Sequence, residues 1–244
     1  NGSWMPEAAR WGIGSPKGIL ITGVPGCGKS LTAKCMSSLW GLPLLRLDVG
    51  KVFSGLVGSS EQNMRAALRL AEAVAPSILW IDEIEKGFGS ATSSSSGDSG
   101  TSQRVFGTFL TWLQEKTSPV FVIATANKID ALPPEFLRKG RFDEIFFVDL
   151  PTPAEREEIW ALHLRRRLAA GEALGSHVPP TPEVVAELAR RTDGFSGAEI
   201  EQAVVSACFD AFAERRPLGW TDLEHAVRST VPLSVTQAEQ VDTI

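Results

Sequence analysis

The first half of the chain alternates short apolar runs with longer stretches whose apolar positions recur every three or four residues. Five runs read as buried strands: Ile19–Thr22, Leu44–Asp48, Ile78–Asp82, Val120–Thr125 and Ile145–Val148. They are short and, in most cases, rich in Ile, Val or Phe, as strands covered on both faces are. Between them lie three helical stretches. Ser30–Trp40 is closed by Gly41. Ser60–Ala75 is closed by Pro76 and carries Met64, Ala67, Leu68 and Ala71 at helical spacing. Val105–Gln114 sets Phe106, Phe109, Leu110 and Leu113 on one face. Strands alternating with helices predict a parallel sheet between helices. The stretch "GSATSSSSGDSGTS", Gly89 to Ser102, has nothing to bury and reads as a mobile loop.

After Leu150 the alternation ends and helix starts follow one another. "TPAE" at Thr152, "SGAE" at Ser196 and "TDLE" at Thr221 place a hydroxyl three residues before a Glu, the spacing of a capping box, and "TPEV" at Thr181 adds a fourth start. The expected organisation is an α/β core over residues 1–150, a small all-α domain over 151–231 joined by the short hinge "LPTP", and a tail over 232–244. The chain opens and closes without a clear cap, which reads as a fragment with a truncated tail; the opening "NGS" reads as an expression scar.

Composition narrows the function classes. At 244 residues, with 43% apolar and 22% charged, the chain can bury a core without disulfides or metal. Its net charge of −5 argues against a nucleic-acid partner, which would favour a basic face. Cys27, Cys35 and Cys208 are odd in number and form no CxxC pair, and His163, His177 and His225 are scattered singly. That excludes a disulfide framework, fits a reducing, cytoplasmic compartment and leaves no histidine metal site. No apolar run approaches the ~20 residues of a membrane span.

The chemistry begins at "GVPGCGKS". From Gly23 through Gly28 to Lys29 and Ser30 it fits G-x-x-x-x-G-K-[ST], directly after a predicted strand and opening a predicted helix. In such a loop, backbone N–H groups turn inward around a di- or triphosphate, the lysine reaches the β- and γ-phosphates, the hydroxyl ligates Mg²⁺, and the helix N-terminus adds positive potential. Gly23, Pro25, Gly26, Cys27, Gly28, Lys29, Ser30 and Leu31 are therefore nucleotide-contact candidates. "SILWIDEI" runs four apolar residues into Asp82 and Glu83. Asp82 would hold Mg²⁺ with Ser30, and Glu83 would orient or deprotonate the attacking water. Asn127, ending the strand "VFVIATANK", lies where ligands bind in parallel sheets and is a candidate to position that water or to sense the γ-phosphate.

These residues, with "LPPEFLRKGRFDEIFFVDLPTPAER", resemble the AAA family of P-loop ATPases over nearly the whole chain. "LRKGRFD" resembles the second region of homology that marks AAA proteins proper. "LPLLRLDVGKVFSGLVG" and "TSQRVFGTFLTWLQEK" look closest to a clade known from cyanobacteria and algal plastid genomes. The resemblance implies a P-loop core with a five-stranded parallel sheet, a helical lid, ATP and Mg²⁺ as ligands, and a homo-oligomer, either a hexameric ring or a helical assembly. It also implies that Arg138 and Arg141 project into the nucleotide site of a neighbouring subunit. A guanidinium placed there is worth roughly 10³–10⁵ in rate. The bland alternative pairs these arginines with Glu135 or Asp143. Gly197 and Ala198 in "GFSGAEI" resemble the lid motif beside the nucleotide, and Ile13 and Gly14 fall where the family contacts adenine. The clade makes the plastid stroma an alternative location.

The chain departs from the family at the pore. Where many members carry an aromatic–hydrophobic–Gly triplet, this sequence has Leu56, Val57 and Gly58, which could equally pack under the next helix. The second pore-facing loop would be the Ser-rich segment. The expected function is thus ATP hydrolysis that remodels a protein client; the alternative is a nucleotide-regulated scaffold that threads nothing.

Overall fold

The computed structural model describes residues 10–11, 14–53, 59–87, 98–170, 178–232 and 234–235. They fall into two compact units. The first takes in residues up to 23 together with 29–148; the second takes in 24–28 and the residues from 149 on.

The first unit is built on five parallel strands: β1 (Gly18–Gly23), β2 (Leu44–Leu47), β3 (Ser77–Ile81), β4 (Val120–Ala126) and β5 (Glu144–Val148). Their order is β2-β3-β4-β1-β5. Four helices accompany them: α1 (Lys29–Trp40), α2 (Val49–Phe53), α3 (Ser59–Ala73) and α4 (Asp98–Glu115). The predicted apolar faces are those that bury. Met64, Leu68 and Ala71 of α3 meet Phe106, Phe109, Leu110 and Leu113 of α4 in one cluster with Leu20, Leu79, Val122 and Phe136. Ala33 packs with Ile21, Ile78, Trp80 and Ile123 on the other face of the sheet. The register matters for the site. Ile81 pairs with Ala124 and Ile21 with Thr125, so the C-terminal ends of β1, β3 and β4 finish side by side.

The second unit carries α5 (Pro153–Ala170), α6 (Pro182–Arg191), α7 (Gly197–Ala213) and α8 (Trp220–Ser229). Trp160 is fully buried at its centre and donates from Nε1 to Thr192 Oγ1 at 3.1 Å. Arg156 is buried too, held by the Ala189 and Pro151 carbonyls at 3.0 and 2.9 Å and by Asp193. Thr152, Thr181 and Ser196 cap their helices as the sequence predicts; Ser196 accepts from Glu199 N while the Glu199 carboxylate accepts from Ser196 N at 2.7 Å.

Four expectations are corrected. Helix α4 starts at Asp98 rather than Val105, inside the stretch read as a loop. Lack of buriable side chains does not prevent a helix from extending outward from a segment anchored by Phe106 and Phe109, because propagation is far cheaper than nucleation. The short helix α2 follows β2, where the sequence marks only the strand. Strand β5 is not buried: Phe146 and Phe147 are 51% and 69% exposed, since β5 is an edge strand hydrogen-bonded only to β1. Helix α8 starts at Trp220 with Gly219 as its cap, not at Thr221. Asp222 sets the start: its carboxylate accepts from Gly219 N at 2.8 Å and is gripped by two nitrogens of Arg216. Leu56, Val57 and Gly58 lie outside the described residues, as do Ser90 to Gly97.

Candidate active site

In the first unit, β1 ends at Gly23 and α1 begins at Lys29. Lys29 is buried, and its Nζ donates to the Gly23 carbonyl at 2.8 Å, closing the turn from strand to helix. One turn into the site, Ser30 Oγ donates to Asp82 Oδ1 at 2.7 Å, bringing residues 52 apart in sequence together at the tip of β3. Glu83 follows in a left-handed conformation, φ 51°, which is costly for a residue with a side chain. Its carboxylate accepts from Asn127 Nδ2 at 3.0 Å and forms an ion pair with Lys86. That carboxylate holds the Lys86 ammonium above its ordinary pKa, first by hydrogen bonding and then by charge.

Four participants escaped the sequence reading. Thr125 Oγ1 donates to Asp82 Oδ1 at 2.7 Å and accepts from Glu83 N at 3.0 Å. Glu85 accepts from Asn127 N at 2.9 Å. Arg46 donates to Asp82 Oδ2 at 3.4 Å while lying 4.8 Å over the Trp80 ring. Lys86 completes the set. A hydroxyl inside the apolar run "VFVIATA" was the available signal for Thr125, and a weak one, because threonine is a common strand residue and Thr22 is buried in β1 as well.

In the second unit, the loop residues 24–28 meet the start of α7. Ala198 N donates to the Gly26 carbonyl at 3.0 Å, and Gly197 lies against the same oxygen. Gly26 has φ 79°, and a Cβ there would fall 2.8 Å from Ser196 Oγ and 3.0 Å from Ala198 Cβ. Gly28 has φ 82° with open space where a Cβ would stand. Both positions favour glycine through their positive φ, the backbone conformation that a phosphate-cradling loop uses. Cys27 Sγ lies 3.9 Å from the Pro25 carbonyl. Leu31 is exposed in the first turn of α1, Gly14 is exposed, and Ile13 lies outside the described residues.

The arginines are not part of this cluster. Arg138 is exposed and lines an open cavity of about 620 Å³ with Lys17, Phe136, Phe142 and Ile145. Arg141 Nη1 donates to the Leu110 carbonyl at 2.5 Å. Asp143, weighed as a partner for them, instead accepts from Lys17 N and Gly18 N at 2.7 and 2.8 Å.

The donor set suits a hard cation. One hydroxyl and one carboxylate are the few protein oxygens Mg²⁺ takes when phosphates and waters complete its octahedron. Among the described residues no group of three His, Cys, Asp or Glu side chains forms an all-protein metal cage. Sheet order, glycine loop and acidic strand tip together define a P-loop nucleotide-binding domain with a helical lid.

Comparison with known proteins places it further. The model of the ATPase family associated with various cellular activities (AAA) matches residues 19–150, and that of the AAA+ lid domain matches residues 183–225. The AAA domain-containing protein ycf46 of Pyropia yezoensis is 51% identical over 99% of this chain and 47% of its own length. Its counterpart from Guillardia theta is 46% identical over 98% of the chain and 46% of its own length. The proteasome-activating nucleotidase of Aeropyrum pernix is 37% identical over 82% of the chain and 47% of its own length. The chain belongs to the AAA family of ATPases, and its match to the ycf46 proteins agrees with the algal clade the sequence resembles. It spans about half the length of the curated relatives it matches. No helix among the described residues is long and apolar enough to cross a membrane.

Proposed function

We propose that this chain binds ATP with Mg²⁺ and hydrolyses it, with a guanidinium supplied by a neighbouring copy. The observation that carries the reading is the Ser30–Asp82 hydrogen bond of 2.7 Å, which joins the end of the glycine loop to the acidic tip of β3. Gly23, Pro25, Gly26, Cys27, Gly28 and Lys29 would cradle the phosphates; Leu31, Ile13, Gly14, Gly197 and Ala198 would border the nucleotide; Ser30 and Asp82 would hold the cation. Bound there, Mg²⁺ would neutralise phosphate charge as the bond breaks. Glu83 takes a proton from the attacking water, whose oxygen bonds to the γ-phosphorus. The bond from that phosphorus to the β,γ-bridging oxygen breaks, leaving ADP and phosphate. Asn127 fixes the Glu83 carboxylate for this role. Arg138 is exposed, as a residue acting on another copy's nucleotide must be; Arg141 would support it from its anchor on Leu110.

Such sites make heterologous contacts, so the assembly would be a ring or a helical array. Its work would be remodelling a protein client, a reading supported by likeness to the proteasome-activating nucleotidase. The cytoplasm or the plastid stroma would suit it. The test is Mg²⁺-dependent phosphate release by the chain and by Glu83→Gln. The variant is expected to keep ATP affinity and lose about 10²–10⁴ in rate. Equal rates would remove Glu83 from the chemistry.

A further inference from the structure

Two backbone facts at the tip of β3 need an explanation. The β3–β4 ladder ends at the Ile81–Ala124 pair, so the next amides of β3 lose their strand partners. Glu83, two residues on, is nonetheless fixed at φ 51°, a conformation that survives only where the surroundings over-determine it. What stands opposite is not a carbonyl but a side chain. Thr125 is 1% exposed, and its backbone is committed to β1 through the Ile21–Thr125 pairing. Its hydroxyl takes the place of the missing ladder acceptor, receiving the Glu83 N–H at 3.0 Å.

A hydroxyl has one proton, and an amide can only donate. Thr125 oxygen is therefore the acceptor toward Glu83, and its proton goes to Asp82 Oδ1 at 2.7 Å. Ser30 Oγ donates to the same oxygen at 2.7 Å. Two hydroxyl protons converge on one carboxylate oxygen and set the rotation of the Asp82 side chain. They also leave the Ser30 oxygen lone pairs for a cation. Each bond in the chain from Glu83 N–H through Thr125 to Asp82 polarises the next.

We propose that Thr125 is a positioning residue: a single hydroxyl ties the carboxylate that would hold the metal to the backbone that aims the general base. The proposal rests on the hydrolase reading above. It differs from a packing role in its readouts. Removing the hydroxyl should disturb the cation and the chemistry together and leave phosphate-loop affinity for the nucleotide alone untouched.

The experiment compares the chain with Thr125→Val, which keeps the branched shape, and Thr125→Ser, which keeps the hydroxyl. Three quantities are measured: the ATPase kcat, the Mg²⁺ concentration giving half-maximal rate, and ATP affinity in EDTA. The valine variant is expected to lose about 10–100-fold in kcat, with half-saturation moved to correspondingly higher Mg²⁺. Its ATP affinity without metal stays within about twofold, and Thr125→Ser stays within about threefold of the parent throughout. If the valine variant does not fold, Thr125→Cys is set against Thr125→Ser, the same shape with a weak S–H in place of O–H. Unchanged kcat and Mg²⁺ dependence in the variant lacking the hydroxyl overturns the proposal. So does a serine variant as impaired as that variant, since volume would then be what matters. A parent chain with no Mg²⁺-dependent turnover under assembling conditions defeats the hydrolase reading itself, an outcome distinct from either.

Discussion

Lys29, Ser30, Asp82 and Glu83 stand out one by one as candidates because the chemistry proposed for them constrains their immediate sequence neighbours. A phosphate loop must have glycine where φ is positive, as at Gly26 and Gly28, and a lysine and hydroxyl directly after. Thr125, Glu85 and Arg46 were not readable that way. They reach Asp82, Glu83 and Asn127 only through the register of parallel strands, across sequence gaps of 43, 42 and 36 residues. Lys116 is another such residue. It is half-buried, donates to the Pro16 carbonyl at 3.2 Å, and burial pushes its ammonium down from 10.5 to about 8, with Asp143 opposing. Between those values the unfolded chain holds a proton the folded chain has lost, so stability rises with pH across about 8 to 10.5. Urea unfolding at pH 8 and pH 10 should show the parent gaining stability relative to Lys116→Met. The gain should be on the order of 1 kcal/mol after discounting for partial exposure. A constant difference between the two proteins would mean that Lys116 titrates as in water.

At the level of elements, periodicity carried well wherever one face is buried. The apolar positions of α3 and α4 face the core as spaced, and the strands of the sheet lie where the apolar runs are. It failed where burial and element type part company. Phe146 and Phe147 look like core residues, but whether a strand is central or at an edge is a property of the sheet order, which no single run contains. Helix α8 begins at Trp220 with Gly219 as its cap because Arg216 and Asp222 lock it there, a side-chain pair spanning the turn that outweighs the hydroxyl at Thr221. Where capping is local, it was legible, as at Ser196. This residue is buried, caps α7 and stands beside Gly26, so it serves both the helix and the loop. Ser196→Ala should cost about 1 kcal/mol, seen as a lower urea midpoint for the helical unit. An unchanged midpoint would show that Glu199 alone satisfies the helix start.

For the whole molecule, the central claim is that hydrolysis is completed by assembly. The cluster around Asp82 brings together Ser30, Glu83 and Asn127, proposed above as cation ligand, base and positioning amide, but neither Arg138 nor Arg141. The most direct measurement is ATPase rate per chain against protein concentration, for the parent and for Arg138→Ala. The account predicts a rate per chain that climbs as copies associate, and a variant that binds ATP but stays about 10³-fold or more slower at every concentration. A rate per chain that is flat with concentration and unaffected by Arg138→Ala would contradict it, placing every group needed for hydrolysis within a single copy.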